Sequence, residues 1–198
     1  MSYSSDQTRQ RILESAKREF SQQGYRKANL RKIADDAKVT TGALYNHFKN
    51  KDVLFDELVK EAAEGLLCKY KEMHSISEGA CKDNKMYQKS EEGTDWVTDY
   101  IYDHFEEFRL IFCCSEGHEY SHFLDELAEI EEEAYRNMLS LSGKGASVGD
   151  FFVHVICSSG LRDIYEVVSH NLSRAEAKEF MQQVKRFRFA GWKEILGQ

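Results

Sequence analysis

With 198 residues, of which 41% are hydrophobic and 31% charged, the chain is typical of a soluble globular protein. Its longest apolar run, Leu110 to Cys114, is far shorter than the roughly 20 residues that span a bilayer. These features, with an odd number of cysteines and no C-x-x-C motif, exclude a membrane-spanning or disulfide-stapled protein and predict a cytoplasmic one whose cysteines stay reduced.

The charge of the chain is unevenly distributed. Overall it is -7, but residues 1–50 contain ten Lys and Arg against five Asp and Glu, whereas the other 148 residues contain 17 against 29. A basic N-terminal part attracts phosphate, and the acidic remainder repels it. The chain also has no proline, so helices can run through almost any segment, and we expect an all-α protein of about nine helices.

Three short helices are predicted in the basic part, because apolar residues recur there at helical spacing. Gly24 is typical of a helix end, and Asn29 and Thr40 are typical N-caps. The predicted helices span residues 6–23, 30–37 and 41–48.

The acidic part is predicted to contain longer helices. Asn50 caps the first of them, and the capping box Ser173-Arg174-Ala175-Glu176 opens the last. The predicted helices span residues 51–74, 94–113, 118–141, 148–168 and 173–196. Residues 75–93 are predicted to form a loop or a short irregular helix, which would be the ninth, and residues 142–145 a loop.

The second and third helices are typical of a helix-turn-helix. Ala34 and Ala37 are small enough to let the two helices approach closely, and Val39, Leu44 and Phe48 fill the space between them. The outward positions of the third helix are small or polar, so they can reach base edges and phosphates in a major groove. The expected DNA-binding residues are Asn29, Arg31, Thr40, Thr41, Gly42, Ala43, Tyr45, Asn46, His47 and Lys51, flanked by Arg26, Lys27 and Lys32.

The stretch from Ile33 to Leu54, IADDAKVTTGALYNHFKNKDVL, resembles the signature of the TetR family of bacterial repressors. Upstream residues that match the family's first helix are Ile12, Ala16, Phe20, Gly24 and Tyr25. One departure is Lys38, because the family usually has glycine in this turn. A left-handed backbone there would cost a lysine about 1 kcal/mol, so we expect a slightly reshaped turn.

The resemblance implies a DNA-binding domain at residues 1–51 and a helical ligand-binding and dimerisation domain at 52–198. It also implies a homodimer through the last two helices, which binds palindromic double-stranded operator DNA. A small-molecule inducer would move the fourth helix and release the operator. The abundance of apolar residues in the last two helices agrees with a dimer. We therefore expect a transcriptional repressor that is not an enzyme and needs no cofactor or metal.

The resemblance further implies an inducer pocket in the C-terminal domain. Aromatic side chains with polar tips would suit a medium-sized lipophilic molecule, although ordinary core packing is the alternative for each candidate. The candidates are Tyr100, His104, Phe108, Phe112, Cys113, Tyr120, Phe123, Tyr135, His154 and Cys157.

A second motif favours a different function. The segment from His118 to His122 matches H-E-x-x-H, in which two histidines one helical turn apart bind zinc and the glutamate acts as a base. The alternative is therefore a zinc-dependent hydrolase, or a metal-sensing regulator. A catalytic zinc site would also need a third ligand and a cleft for substrate, and the sequence identifies neither.

Overall fold

The computed structural model describes residues 4–75, 85–141, 143 and 148–196. In these residues it contains nine α-helices and no strand, which confirms the predicted all-α fold. The helices are α1 (Ser5–Lys27), α2 (Leu30–Asp36), α3 (Thr41–His47), α4 (Lys51–His74), α5 (Lys85–Asp103), α6 (Phe105–Cys114), α7 (Phe123–Leu141), α8 (Asp150–Ser169) and α9 (Arg174–Leu196). None of these described helices is long and apolar enough to cross a membrane.

The helices form two compact units. The N-terminal unit comprises Met1–Glu64 and Glu106–Ser121, and the C-terminal unit comprises Gly65–Phe105 and His122–Gln198. Each unit therefore draws on two separate stretches of the sequence. Nearly all of α6 belongs to the same unit as α1, α2 and α3, although more than fifty residues separate it from them in the chain.

The core of the N-terminal unit fixes the helix-turn-helix. Leu44 and Phe48, which were predicted to fill the space between α2 and α3, are buried, whereas Val39 is only partly buried. Ala34 and Ala37, which were predicted to let the helices approach, are buried as well. The Ser15 hydroxyl of α1 donates a hydrogen bond to the Ile33 carbonyl of α2 at 3.0 Å. This contact satisfies a buried hydroxyl and ties α1 to α2. Because one side of α3 is buried in this way, its other side faces outward.

The turn between α2 and α3 keeps the left-handed conformation. Lys38 has a φ of 56°, and its N–H donates to the Asp35 carbonyl at 3.0 Å, while the Val39 N–H donates to the Ala34 carbonyl at 3.0 Å. This pair of bonds is a Schellman motif, which places a left-handed residue just after the helix cap. The expected reshaping of the turn is therefore wrong, because these backbone bonds hold Lys38 in the left-handed region despite a cost of about 1 kcal/mol.

The predicted helix at 94–113 is wrong in its bounds. The structure divides it into α5, which ends at Asp103, and α6, which begins at Phe105. Glu106 and Glu107 in the first turn of α6 favour a helix start at that point. In addition, α5 begins at Lys85, inside the segment predicted as a loop or short irregular helix, because residues such as Lys, Met, Gln and Glu propagate a helix without an apolar stripe.

Two other predicted helix boundaries differ from the observed ones by a few residues. Gly24, with a φ of 71°, interrupts α1 as expected, although a further helical turn continues to Lys27. The predicted start at His118 is wrong, since a 3-10 turn spans Glu119–His122 and α7 begins only at Phe123. Positions 76–84, 142, 144 and 145 of the predicted loops lie outside the described residues.

The C-terminal unit has a core where α7, α8 and α9 meet. Its buried cluster consists of Met138, Leu139, Val153, Cys157 and Trp192. The ring of Tyr135 stacks on that of Trp192 with 4.5 Å between centroids. Near this core the Tyr70 hydroxyl donates to Glu131 at 3.4 Å. Burial raises the pKa of the Glu131 carboxyl to about 7, against the opposing effects of Arg188 and of the Tyr70 hydrogen bond.

Candidate nucleic-acid interface

Helix α3 has the local structure that a groove-reading helix requires. The Thr40 hydroxyl accepts the Ala43 N–H at 3.1 Å, which confirms the predicted N-cap. Leu44 and Phe48 are buried, whereas the side chain of Tyr45 is half exposed and Asn46 is exposed. The small residues of the first turn are partly or fully accessible as well. Capping and burial therefore present the predicted reading residues on the outward side of α3.

The start of α2 has a structural role in addition to its expected contact with DNA. The side-chain oxygen of Asn29 accepts the Arg31 N–H at 2.9 Å, and the Asn29 N–H donates to Glu19 at 3.2 Å. Glu19 is buried with only 3% of its surface exposed, and it also pairs with Lys32. These bonds fix the first turn of α2, and Arg31 stands exposed directly after the cap.

At least four of the ten cations in residues 1–50 are paired with carboxylates of the N-terminal unit. The pairs are Arg9 with Glu57, Lys17 with Glu107, Arg26 with Glu116, and Lys32 with Glu19. Two of the carboxylates, Glu107 and Glu116, come from α6 and the segment after it, which the sequence did not link to this unit. A cation that is paired with a carboxylate attracts phosphate less. The number of basic residues in 1–50 therefore overestimates the positive charge that is available to bind DNA.

Four other cations surround α2 and α3 and are exposed. Lys27 ends α1, Arg31 lies in the first turn of α2, Lys38 lies in the turn before α3, and Lys49 lies between α3 and α4. None of the four pairs with a carboxylate among the residues that the structure describes. Lys38 and Lys49 are absent from the predicted DNA-binding residues, although their positions on either side of α3 were visible in the sequence.

Lys51 is held at the start of α4 by contacts within the unit. Its Nζ donates to the carbonyls of Arg26 and Ala28 at 3.2 Å and 3.5 Å, and it lies 4.6 Å from the centre of the Tyr25 ring. The Tyr25 hydroxyl in turn donates to the Asp52 carboxylate. Lys51 therefore ties α4 to the end of α1. Its contact with DNA remains a prediction.

The segment after α6 packs into the same unit through His118. The imidazole of His118 lies 4.8 Å from the ring centres of both Tyr25 and Phe55, and its Nε2 is 3.4 Å from Asp56 Oδ1. Burial raises the pKa of the Asp56 carboxyl, and the neighbouring His118 opposes this shift. This cluster joins α1, α4 and the chain beyond α6 within the N-terminal unit.

The H-E-x-x-H motif does not form the helical pair of histidines that zinc hydrolases use. The residues from Glu119 to His122 form a 3-10 turn. The side chain of His118 is 3% exposed, whereas that of His122 is 80% exposed and contacts Asp125. In the part of the chain that the structure describes, no three His, Cys, Asp or Glu side chains are placed to hold a metal ion. The structure therefore gives no support to the zinc alternative.

The predicted inducer-pocket residues are divided between the two units. Phe108, Phe112, Cys113 and Tyr120 belong to the N-terminal unit, and the other candidates belong to the C-terminal unit. In the latter, the rings of Tyr100 and His104 lie 4.6 Å apart.

Three further candidates lie near the core of α7, α8 and α9. Cys157 belongs to its buried cluster, Tyr135 stacks on Trp192, and the half-exposed His154 contacts Glu132 at 2.7 Å. Phe123 is buried at the start of α7. A pocket that includes these residues remains a prediction.

The cysteines that were predicted to stay reduced differ in exposure. Cys68 and Cys113 are exposed, whereas Cys114 and Cys157 are buried, and all four are free thiols. Cys81 lies outside the described residues. Burial raises the pKa of the Cys114 thiol and raises that of Cys157 to about 12, so both stay protonated near neutral pH.

Residues 12–58 match the family model of bacterial regulatory proteins of the tetR family. This match comprises 47 of the 198 residues, about a quarter of the chain. The TetR-family match covers most of α1, all of α2 and α3, and the start of α4. The probable acrEF/envCD operon repressor of Escherichia coli is 51% identical over 51 residues, which are 26% of this chain and 23% of that protein. The aligned segment thus spans about a quarter of the length of such curated relatives.

Solved structures resemble the chain over most of its length. A transcriptional regulator from Aquifex aeolicus has a TM-score of 0.61 at 17% identity and covers 91% of this chain and 98% of its own. NalD, the secondary repressor of the MexAB-OprM multidrug efflux pump in Pseudomonas aeruginosa, has a TM-score of 0.60 at 18% identity, with 92% and 95% covered. At this level of identity the likeness concerns the fold of the chain.

Proposed function

We propose that this protein is a sequence-specific transcriptional regulator that binds palindromic double-stranded operator DNA. The observation that carries the proposal is the arrangement of α3, which is capped by Thr40, buried on the side of Leu44 and Phe48, and exposed at Tyr45 and Asn46. Exposed cations on both sides of α3 attract phosphate. The TetR-family match over the same residues supports the proposal.

The proposed contacts divide into two kinds. Residues of the first turn of α3, with Asn46 and His47, read base edges, because they stand on its accessible side. Arg31 and Tyr45 bind phosphate groups and position α3 in the groove. Lys51 also binds phosphate. Its ammonium has three N–H donors, of which two are used by backbone carbonyls, and the third donates to the phosphate.

The experiment that tests the proposal is a titration of fluorescent duplexes that the wild-type protein selects from a random-sequence pool. We expect salt-sensitive binding that is tighter for the selected duplex than for random DNA. Tyr45→Ala should weaken binding to both duplexes, whereas Asn46→Ala should change which sequence is selected. Lys60→Gln on α4 is the control and should change neither. Failure of the wild-type protein to prefer any duplex would contradict the proposal.

We also propose that the protein is a homodimer through α8 and α9. Phe151 and Phe187 expose 80% and 81% of their surface, and Phe152 and Val155 expose 41% and 44%. Large apolar side chains at this exposure mark interaction surfaces. A second copy is the partner that fits, because a palindromic operator requires two heads related by a two-fold axis.

Regulation by a small molecule completes the proposal. Residues 1–51 bind DNA, and residues 52–198 hold an inducer whose binding lowers the affinity for the operator, so that the protein represses in its absence. Both NalD and the Escherichia coli relative carry the name of repressor, which supports this direction. The proposal also includes a cytoplasmic location, because a bacterial regulator meets its operator DNA there. Mass spectrometry of molecules that co-purify with the protein, followed by operator titration in their presence, tests this step.

A further inference from the structure

Lys38, in the turn before α3, has a left-handed backbone conformation that is unfavourable for lysine. Two helices in the described residues end in a Schellman motif: α2 with Lys38 at a φ of 56°, and α8 with Asn171 at a φ of 51°. Asparagine tolerates the left-handed region, because its short polar side chain bonds locally, whereas lysine has no such compensation. The α8 turn therefore uses a suitable residue type, and the α2 turn does not.

No side-chain contact within the described residues rewards a lysine at this position. The side chain of Lys38 is exposed and forms no ion pair or hydrogen bond with the residues that the structure describes. Its N–H and that of Val39 make backbone bonds that any left-handed residue would also make. Strained residues persist mainly where they serve a function. The strain at Lys38 therefore indicates that its side chain binds a molecule outside the folded chain.

The position of Lys38 identifies that role. It lies two residues before Thr40, the cap of α3, and Arg31 and Lys49 present exposed charges on the same helix-turn-helix. An ammonium on a flexible stem binds phosphate as a point charge and does not depend on base sequence. We propose that Lys38 binds a phosphate of the DNA backbone and so adds a contact that the glycine usual in TetR-family turns does not provide. This inference rests on the proposed function.

The experiment compares three substitutions at one position. Lys38→Asn keeps a residue suited to the turn and removes the charge, Lys38→Gly removes both strain and charge, and Lys38→Arg keeps the charge. Lys60→Gln removes one charge from α4 and serves as the control. Affinities for the selected duplex and for random DNA are measured between 0.05 and 0.3 M KCl, roughly the range over which counterion release is resolved.

The expected result follows from counterion release. Lys38→Asn and Lys38→Gly should each reduce the slope of log K against log salt by about 0.9 per protomer, and lower affinity about fivefold per protomer near 0.15 M salt. The loss should be equal for both duplexes, because a phosphate contact is independent of sequence. Lys38→Arg and Lys60→Gln should keep the wild-type slope.

Two results would overturn the inference in distinguishable ways. If Lys38→Asn keeps the wild-type slope and affinity while Tyr45→Ala still weakens binding, Lys38 has no role on DNA although the proposed function stands. The same follows if Lys38→Arg loses as much affinity as Lys38→Asn, because charge is then not the cause. If the wild-type protein shows no preference among duplexes, the proposed function fails together with this inference.

Discussion

The exposed phenylalanines of α8 and α9 allow a quantitative prediction for the dimer. Phe151 and Phe187 each leave about four fifths of their surface in solvent. A phenylalanine side chain carries about 200 Å², so each ring exposes about 160 Å², and burying it contributes at most about 4 kcal/mol. Truncation of a central interface aromatic typically costs about 2 kcal/mol, which is less than this upper limit because the interface does not bury the whole ring.

The perturbation is Phe187→Ala. At about 2 kcal/mol per ring, and with each ring present twice in a symmetric dimer, the dissociation constant of the dimer should rise by about a thousandfold. Phe151→Ala should act in the same direction. Sedimentation equilibrium over a wide range of protein concentration measures the change directly.

Tyr45→Ala is the matched control, because it removes an exposed aromatic side chain from α3 and should leave the dimer unchanged. An unaltered dissociation constant for both Phe151→Ala and Phe187→Ala would refute this interface. A shift of equal size for Tyr45→Ala would show that loss of any exposed ring promotes dissociation and would remove the specific role of α8 and α9.

Two further predictions concern the stability of the C-terminal unit. A Cβ atom on Gly65 would lie 2.1 Å from the Tyr100 hydroxyl oxygen. Gly65→Ala should therefore lower the free energy of unfolding by about 1–3 kcal/mol, measured by urea unfolding. Adding Tyr100→Phe to this variant should recover much of the loss, and no recovery would argue against this contact. Because burial raises the folded-state pKa of Glu131 from 4.5 to about 7, the folded state holds this proton more tightly, and the free energy of unfolding should fall as pH rises from 4.5 to 7. Glu131→Gln should lessen that fall, and equal pH profiles for the two proteins would contradict the assignment.

Several features of the site followed from local sequence. The N-caps Asn29 and Thr40 form their expected hydrogen bonds, and Leu44 and Phe48 are buried as their spacing predicted. A capping side chain acts over two or three residues, and helical periodicity places residues on one face regardless of the rest of the fold. These short-range rules were sufficient to predict the outward side of α3.

Other features depended on residues far apart in the chain. The number of basic residues in 1–50 indicated a phosphate-binding surface, but Glu107 and Glu116 neutralise Lys17 and Arg26 from about 90 residues away. The packing of His118 onto Tyr25 and Phe55 also joins residues far apart in the chain. The H-E-x-x-H motif suggested a zinc site only from the spacing of its residues, and this spacing does not reveal that His118 is buried against these rings. Local patterns contain no information about such partners.

The sequence by itself determined the all-α fold, the helix-turn-helix and the identity of the residues exposed on α3, because propensity, capping and periodicity act within a few residues. Only the tertiary structure decided which cations remain available to DNA, because pairing depends on which carboxylates the fold brings near. It also decided the conformation at Lys38. Backbone hydrogen bonds to Ala34 and Asp35 there outweigh the preference of the lysine itself.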